Sequence, residues 1–130
     1  MNMSEYYGPT VKAAKMASTL IGINASGKEQ DWEIEFADPE IIPIILNVLE
    51  LRGFDDEAKT ALYLLLLASL ELEFSSGKKN QLHIVKTKEI IGGDKNSLEK
   101  MQFYWINLKK SEHQSLMKDI LHIKNFNSSI

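Results

Sequence analysis

Residues 55–73 read DDEAKTALYLLLLASLELE, and the placement of their leucines decides the architecture. Asp55, Asp56 and Glu57 crowd one end, where a helix exposes unpaired N–H groups and the positive end of its dipole, so they cap and charge a helix start. Successive residues of a helix turn by about 100°, so Leu62, Leu64, Leu65, Leu66 and Leu67 point in every direction around the axis. A helix that is apolar all round must be enclosed by other elements. The run Ala61 to Ala68, continued by Ser69 and Leu70, is well short of the ~20 residues needed to cross a bilayer. The segment is therefore a core helix reaching Glu73, the central member of the fold.

On its N-terminal side, Asp38-Pro39 opens a helix whose first turn is broken by Pro43, with the regular part from Pro43 to about Arg52. Ile44, Ile45, Val48 and Leu49 form its core stripe, and Gly53 suits the residue past its end. Asp31 to Phe36 alternates, with Trp32, Ile34 and Phe36 on one side and Asp31, Glu33 and Glu35 on the other, which predicts a half-buried strand. Gly8-Pro9-Thr10 starts a further helix. Its stripe is Val11, Ala14, Ser18 and Ile21, with Ala13, Ala17 and Leu20 beside it, and Asn24 to Gly27 ends it with turn chemistry.

On the C-terminal side, Ser75 to Asn80 and Gly92-Gly93-Asp94 are loops by composition. Between them, Gln81 to Ile91 fits two readings. Leu82, Ile84 and Lys86 alternate with His83, Val85 and Thr87 as in a strand, while Leu82, Val85, Lys86, Glu89 and Ile90 make a helical stripe; the helix is preferred. Asn96 to Glu99 opens a helix with Leu98, Met101, Trp105 and Leu108 on one face, flanked by Gln102 and Ile106. Ser111 to Gln114 matches a capping box, and Leu116, Ile120 and Ile123, with Met117 and Leu121, form the core side of a last helix. The tail from Asn127 is expected to fray.

The expectation is one mainly α domain over residues 1–130. Antiparallel helical hairpins surround a central leucine-rich helix, with room for a short β-strand or hairpin at one edge. Apolar residues at 44% and charged residues at 25% are ordinary globular values. The chain has no cysteine, which excludes disulfides, thiolate metal sites and a cysteine nucleophile. Met1 to Gly8 shows no secretory pattern, so a cytoplasmic location without membrane association is expected.

Chemistry is sparse. His83, His113 and His122 have no metal-ligand spacing; Gly92-Gly93 and Gly77-Lys78-Lys79 lack phosphate-loop spacing; no serine sits in a nucleophile-elbow setting. No catalytic residues, cofactor or metal are expected. Glu33 and Glu35 on a strand face, and Asp55 to Glu57 at a helix entrance, are a solvated face and a cap respectively, or an acidic surface for a partner; carboxylate catalysis would need Glu33 or Glu35 in a deep pocket. Residues 1–73 hold 13 acids against 5 bases and residues 74–130 hold 5 against 10, within a net charge of −3. Lys78, Lys79, Lys86, Lys88, Lys109 and Lys110 would have to carry any nucleic-acid contact, but the only arginine is Arg52. Lysines without arginine forks read phosphate poorly. Phe103-Tyr104-Trp105 fits a core helix better than a stacking platform.

From Asp38 to Leu72 the chain has a cap, a short isoleucine helix, a Phe54-Asp55-Asp56 turn and a long leucine helix ending in Glu71. With Trp105-Ile106-Asn107-Leu108 and a capped terminal helix after it, this pattern resembles the helical immunity proteins of bacterial toxin systems, including contact-dependent growth inhibition. The strand-like Asp31 to Phe36 is not part of that pattern. The resemblance implies a cytoplasmic protein that neutralises one cognate toxin by stoichiometric binding, with an acidic surface where the toxin is a basic nuclease. Carried over, the partner-binding positions are Glu33, Glu35, Asp38, Asp55, Asp56 and Glu57. The alternative is a small helical nucleic-acid-binding or phage-regulatory module using the lysines of residues 78–110.

Overall fold

The computed structural model describes residues 10–23, 32–51, 56–78, 80–105 and 114–123, except the side chains of Glu33, Ile34 and Gln114. The leucine segment is α4, Asp56–Ser75, and it is buried without interruption from Ala61 to Leu70. Helices α1 (Val11–Ile21), α2 (Trp32–Glu35), α3 (Ile42–Glu50) and α6 (Lys95–Phe103) all pack on it, which accounts for leucines facing every way. The domain is mainly helical and α4 is its axis. No helix among the described residues is long and apolar enough to cross a membrane.

Thr10 caps α1, its Oγ1 accepting from the Ala13 amide at 3.1 Å. Ala13, Ala14, Ala17, Ser18 and Ile21 are buried, and the small side chains of the first four let α1 approach α4 closely. Val11, expected on the core stripe, and Leu20, expected beside it, are exposed instead. The helix stops at Gly22, whose φ of +80° allows the Ile23 amide to reach back to the Ser18 carbonyl at 2.8 Å. The expected stop, Asn24 to Gly27, lies outside the described residues.

The expected strand is a helical turn. In α2 the Phe36 amide donates to the Trp32 carbonyl at 3.1 Å, a helical bond, and Trp32 is buried against α1 and α4. Its Nε1–H donates to Ser18 Oγ at 2.9 Å. Positions 32 and 36 share a face in both a strand and a helix, so so short an alternation cannot separate the two. A strand also needs a partner, and none occurs among the described residues.

Asp38 Oδ1 accepts from the Glu40 amide at 2.9 Å and caps a 3₁₀ turn, Pro39–Ile41, which leads into α3. Pro43 falls in the first turn of α3, where an N–H has no helical acceptor, so the chain tightens there without breaking. The buried face is Ile42, Ile45 and Leu46, with Val48 and Leu49 partly covered; Ile44, expected in the core, faces water.

Gln81–Gly92 is a helix, α5, capped by Asn80 Oδ1 on the His83 amide at 3.1 Å. Its buried face is Ile84, Thr87 and Ile91, not the stripe containing Leu82 and Val85; Leu82 is 63% exposed. Helix α6 begins at Lys95 with Asp94 as its cap, slightly earlier than the expected Asn96 to Glu99 start. Met101 and Trp105 reach the core as expected, and residues 104–105 continue as a wider π turn. Helix α7, Gln114–Ile120, buries Leu116, Met117 and Ile120, followed by Leu121. Ser111 to His113 of the expected capping box lie outside the described residues.

Helices α5 and α7 are joined by a polar clasp. Lys88 Nζ meets Asp119 Oδ1 at 2.8 Å, and His122 Nε2–H donates to the Lys88 carbonyl at 3.0 Å. His122 occupies the left-handed position that ends α7, with φ +57°. A Cβ on Gly92 would lie 2.8 Å from His122 Nε2, so glycine leaves room for the ring. Gly92→Ala is expected to destabilise the native chain by about 0.5–1.5 kcal/mol through loss of this bond. In a His122→Ala background it should instead be neutral or stabilising by up to about 1 kcal/mol, from helix propensity alone. A urea double-mutant cycle measures the coupling; simple additivity would mean that the ring does not need the space.

Candidate functional site

Four elements leave a cleft between them. Leu49, Glu50 and Leu51 at the end of α3, Lys59 and Tyr63 of α4, Glu89, Ile90 and Gly93 around the end of α5, and Asp94 and Lys95 at the start of α6 enclose about 520 Å³. The volume is within the ~300–1,000 Å³ usual for ligand pockets. Lys59 and Tyr63 are four residues apart and so share one face of α4.

The cleft's polar framework is built on Asp94. It caps α6 by accepting from the Ser97 amide at 3.3 Å, accepts from the Ser97 hydroxyl at 2.8 Å, and pairs with Lys59 Nζ at 3.2 Å. Burial alone would raise the Asp94 carboxyl, but the Ser97 hydrogen bonds and the Lys59 ammonium outweigh it and hold it below the ordinary carboxylate range. Lys59 also approaches Asp56 Oδ1 at 3.7 Å, so Asp56 joins the lip of the cleft. Tyr63 is 1% exposed, and burial, followed by the charge of Asp94, raises its phenol well above the usual value. The phenol therefore stays protonated throughout the physiological range. Glu50 and Glu89, both exposed, have no ion-pair partner among the described residues.

A depressed folded-state pKa stabilises the fold above the unfolded value and is lost as pH falls through the folded one. Asp94→Asn is thus expected to be less stable than the native chain at neutral pH. The difference should narrow below about pH 4, where an unfolded aspartate begins to protonate. Urea midpoints of the two chains at stepped pH check this; a difference that widens on acidification would contradict the sign.

The described members of the expected acidic surface fall in two places, Glu35 with Asp38 before α3 and Asp56 with Glu57 at the start of α4. Asp55 and the side chain of Glu33 lie outside the described residues. Glu35 is exposed at the end of α2. Asp38 caps the 3₁₀ turn, and its amide donates to Ser69 Oγ at 3.0 Å. Glu57 accepts from Thr10 Oγ1 at 3.4 Å across to the start of α1. Asp38 thus sits beside Ser69, which at ~1.5 Å rise per residue is about 20 Å along α4 from Asp56. Of the named set, Asp56 alone is tied to the cleft by a described contact.

Glu50, Lys59, Tyr63, Glu89 and Asp94 were not singled out from the sequence as a group. The visible signal was small: a lone tyrosine inside a leucine run, one turn after a lysine. Other polar groups serve packing. Glu73 Oε1 and His83 Nδ1 meet at 3.2 Å in a nearly buried contact bridging α4 and α5. Lys88 is held by Asp119, Lys78 and Lys86 are exposed, and Lys79, Lys109 and Lys110 lie outside the described residues. Among the described residues no group of three or more histidines and acids could hold a metal ion. No family model, curated protein or solved structure matches the chain.

Proposed function

We propose that this protein is a stoichiometric binding protein, an immunity protein that neutralises a basic cognate toxin in the cytoplasm by occupying it. The observation that carries this reading is the cleft, where Glu50 and Glu89 stand without described ion-pair partners on a frame of packed helices. Carboxylates on rigid elements attract a basic surface without first having to be ordered. Asp94 and Asp56 together offset Lys59, and Glu50 and Glu89 outnumber Lys95, so the described charge of the cleft and its lip is acidic. Complementary charge accelerates association, and the apolar side chains Leu49, Leu51 and Ile90 supply surface to be buried on contact.

An immunity gene is expected directly beside a toxin gene, so the test is co-expression with the product of the adjacent reading frame. The native chain should restore growth in cells made to produce that product. Reversal of both cleft carboxylates, Glu50→Lys with Glu89→Lys, should abolish protection or raise the protein level required by about tenfold or more. Protection that survives the reversal unchanged would overturn the cleft as the binding surface. An adjacent product with no toxicity to relieve would overturn the immunity reading.

A further inference from the structure

We infer that the cleft is a socket for one arginine side chain of the partner protein; this rests on reading the protein as the binder of a basic partner. The charges in the socket come from different helices and are not equivalent. Lys59 is held between Asp94 and Asp56, and Asp94 already has the Ser97 hydroxyl and amide, so these groups satisfy one another. Glu50 from the end of α3 and Glu89 from α5 have no ion-pair partner among the described residues, and the one further base in the described lining is Lys95 at the start of α6. Two carboxylates that approach from separate elements suit a planar guanidinium, which offers donors along more than one edge.

The second observation is Tyr63. It is almost wholly buried, lines the cleft, and has no hydrogen-bond partner among the described residues. Its hydroxyl oxygen can accept from a guanidinium N–H, while its ring is packed into the core and fixes the hydroxyl in place. Leu49, Leu51 and Ile90 provide apolar wall for the aliphatic stem. The volume of about 520 Å³ holds a long side chain together with bridging waters. Lysine would fit less well, because its ammonium is more strongly hydrated and lacks the fork.

The test needs no toxin. N-acetyl-argininamide is titrated into the native protein and followed by backbone amide NMR shifts, with N-acetyl-lysinamide and N-acetyl-glutamate amide as controls. The arginine probe should give saturable shifts at Tyr63, Glu89, Ile90 and Asp94 with a dissociation constant on the order of 1–10 mM. The lysine probe should bind more weakly and the glutamate probe should not saturate. Glu50→Gln with Glu89→Gln should weaken the arginine probe by about fivefold or more while leaving the urea midpoint unchanged, since both side chains are exposed. Tyr63→Phe, which keeps the ring, should also weaken it. Absence of saturable shifts, equal response to the glutamate probe, or indifference to the glutamine variant would overturn the socket. Carboxylate-dependent growth protection without probe binding would remove the socket and leave the immunity reading intact. Probe binding without any protection would do the reverse.

Discussion

Leu65→Ala and Leu66→Ala are each expected to lower the free energy of unfolding by about 2–5 kcal/mol, while Leu72→Ala on the same helix changes it by no more than about 0.5 kcal/mol. The first two side chains have no exposed surface, and neighbouring turns of α4 are covered by different helices. Removal of either leaves a cavity that the surroundings, fixed by their own packing, fill only in part. Leu72 is 46% exposed near the end of the helix and leaves no cavity. Leu64→Ala and Leu67→Ala should match the first pair, because all four leucines are fully buried. Urea unfolding with unchanged slopes measures the series. A tolerated alanine at any of the four would mean that α4 has an open side.

Trp32→Ala is expected to be as damaging, at about 3–5 kcal/mol. The indole joins α2 to both α1 and α4, with its ring buried and its N–H on Ser18 Oγ. Trp32→Phe separates the two contributions, since it retains much of the volume but leaves the buried Ser18 hydroxyl without its donor, at about 1–3 kcal/mol. Ser18→Ala in the Trp32→Phe chain should then add little, because neither half of the hydrogen bond remains. Strong additivity of the two substitutions would show that the bond does not tie α2 to α1 in solution.

These two positions also mark what was legible in the chain. Four consecutive leucines leave a helix no solvent face, so the central position of α4 followed from local pattern alone. The cap at Asp38 was similarly local, its carboxylate accepting from an amide two residues on; Thr10, Asn80 and Asp94 also cap within three residues, but the last two read as loop residues by composition. Trp32 to Phe36 was not legible, because a spacing of four residues serves strand and helix alike and the choice is made by packing against Ser18, fourteen residues away. The same holds for α5, whose exposed Leu82 and Val85 imitate a core stripe while Ile84, Thr87 and Ile91 form it. The cleft was the least legible feature. Its carboxylates come from the ends of α3 and α5 and the start of α6, and no sequence window contains them together. Asp55 to Glu57 were conspicuous because they are adjacent in sequence, whereas Glu50 joins Glu89 and Asp94 in one cleft only once α3, α5 and α6 have packed.

A helix cap and an acidic surface place different demands on a carboxylate, and the described residues separate them. Asp38 and Asp94 accept from backbone amides and are held by them, while Glu50 and Glu89 are exposed and have no ion-pair partner among the described residues. In the proposed function, this pair and the Tyr63 hydroxyl, which line one cleft, are the groups that meet the bound surface. The measurement that tests stoichiometric binding most directly is titration of this protein into a fixed amount of the adjacent gene's purified product, with residual toxin activity as the readout. Binding predicts that activity falls in proportion to added protein and reaches zero at the equimolar point, with the same end point after short and long incubation. Complete loss of toxin activity at a small fraction of that amount, progressing with time, would mean turnover and would contradict it.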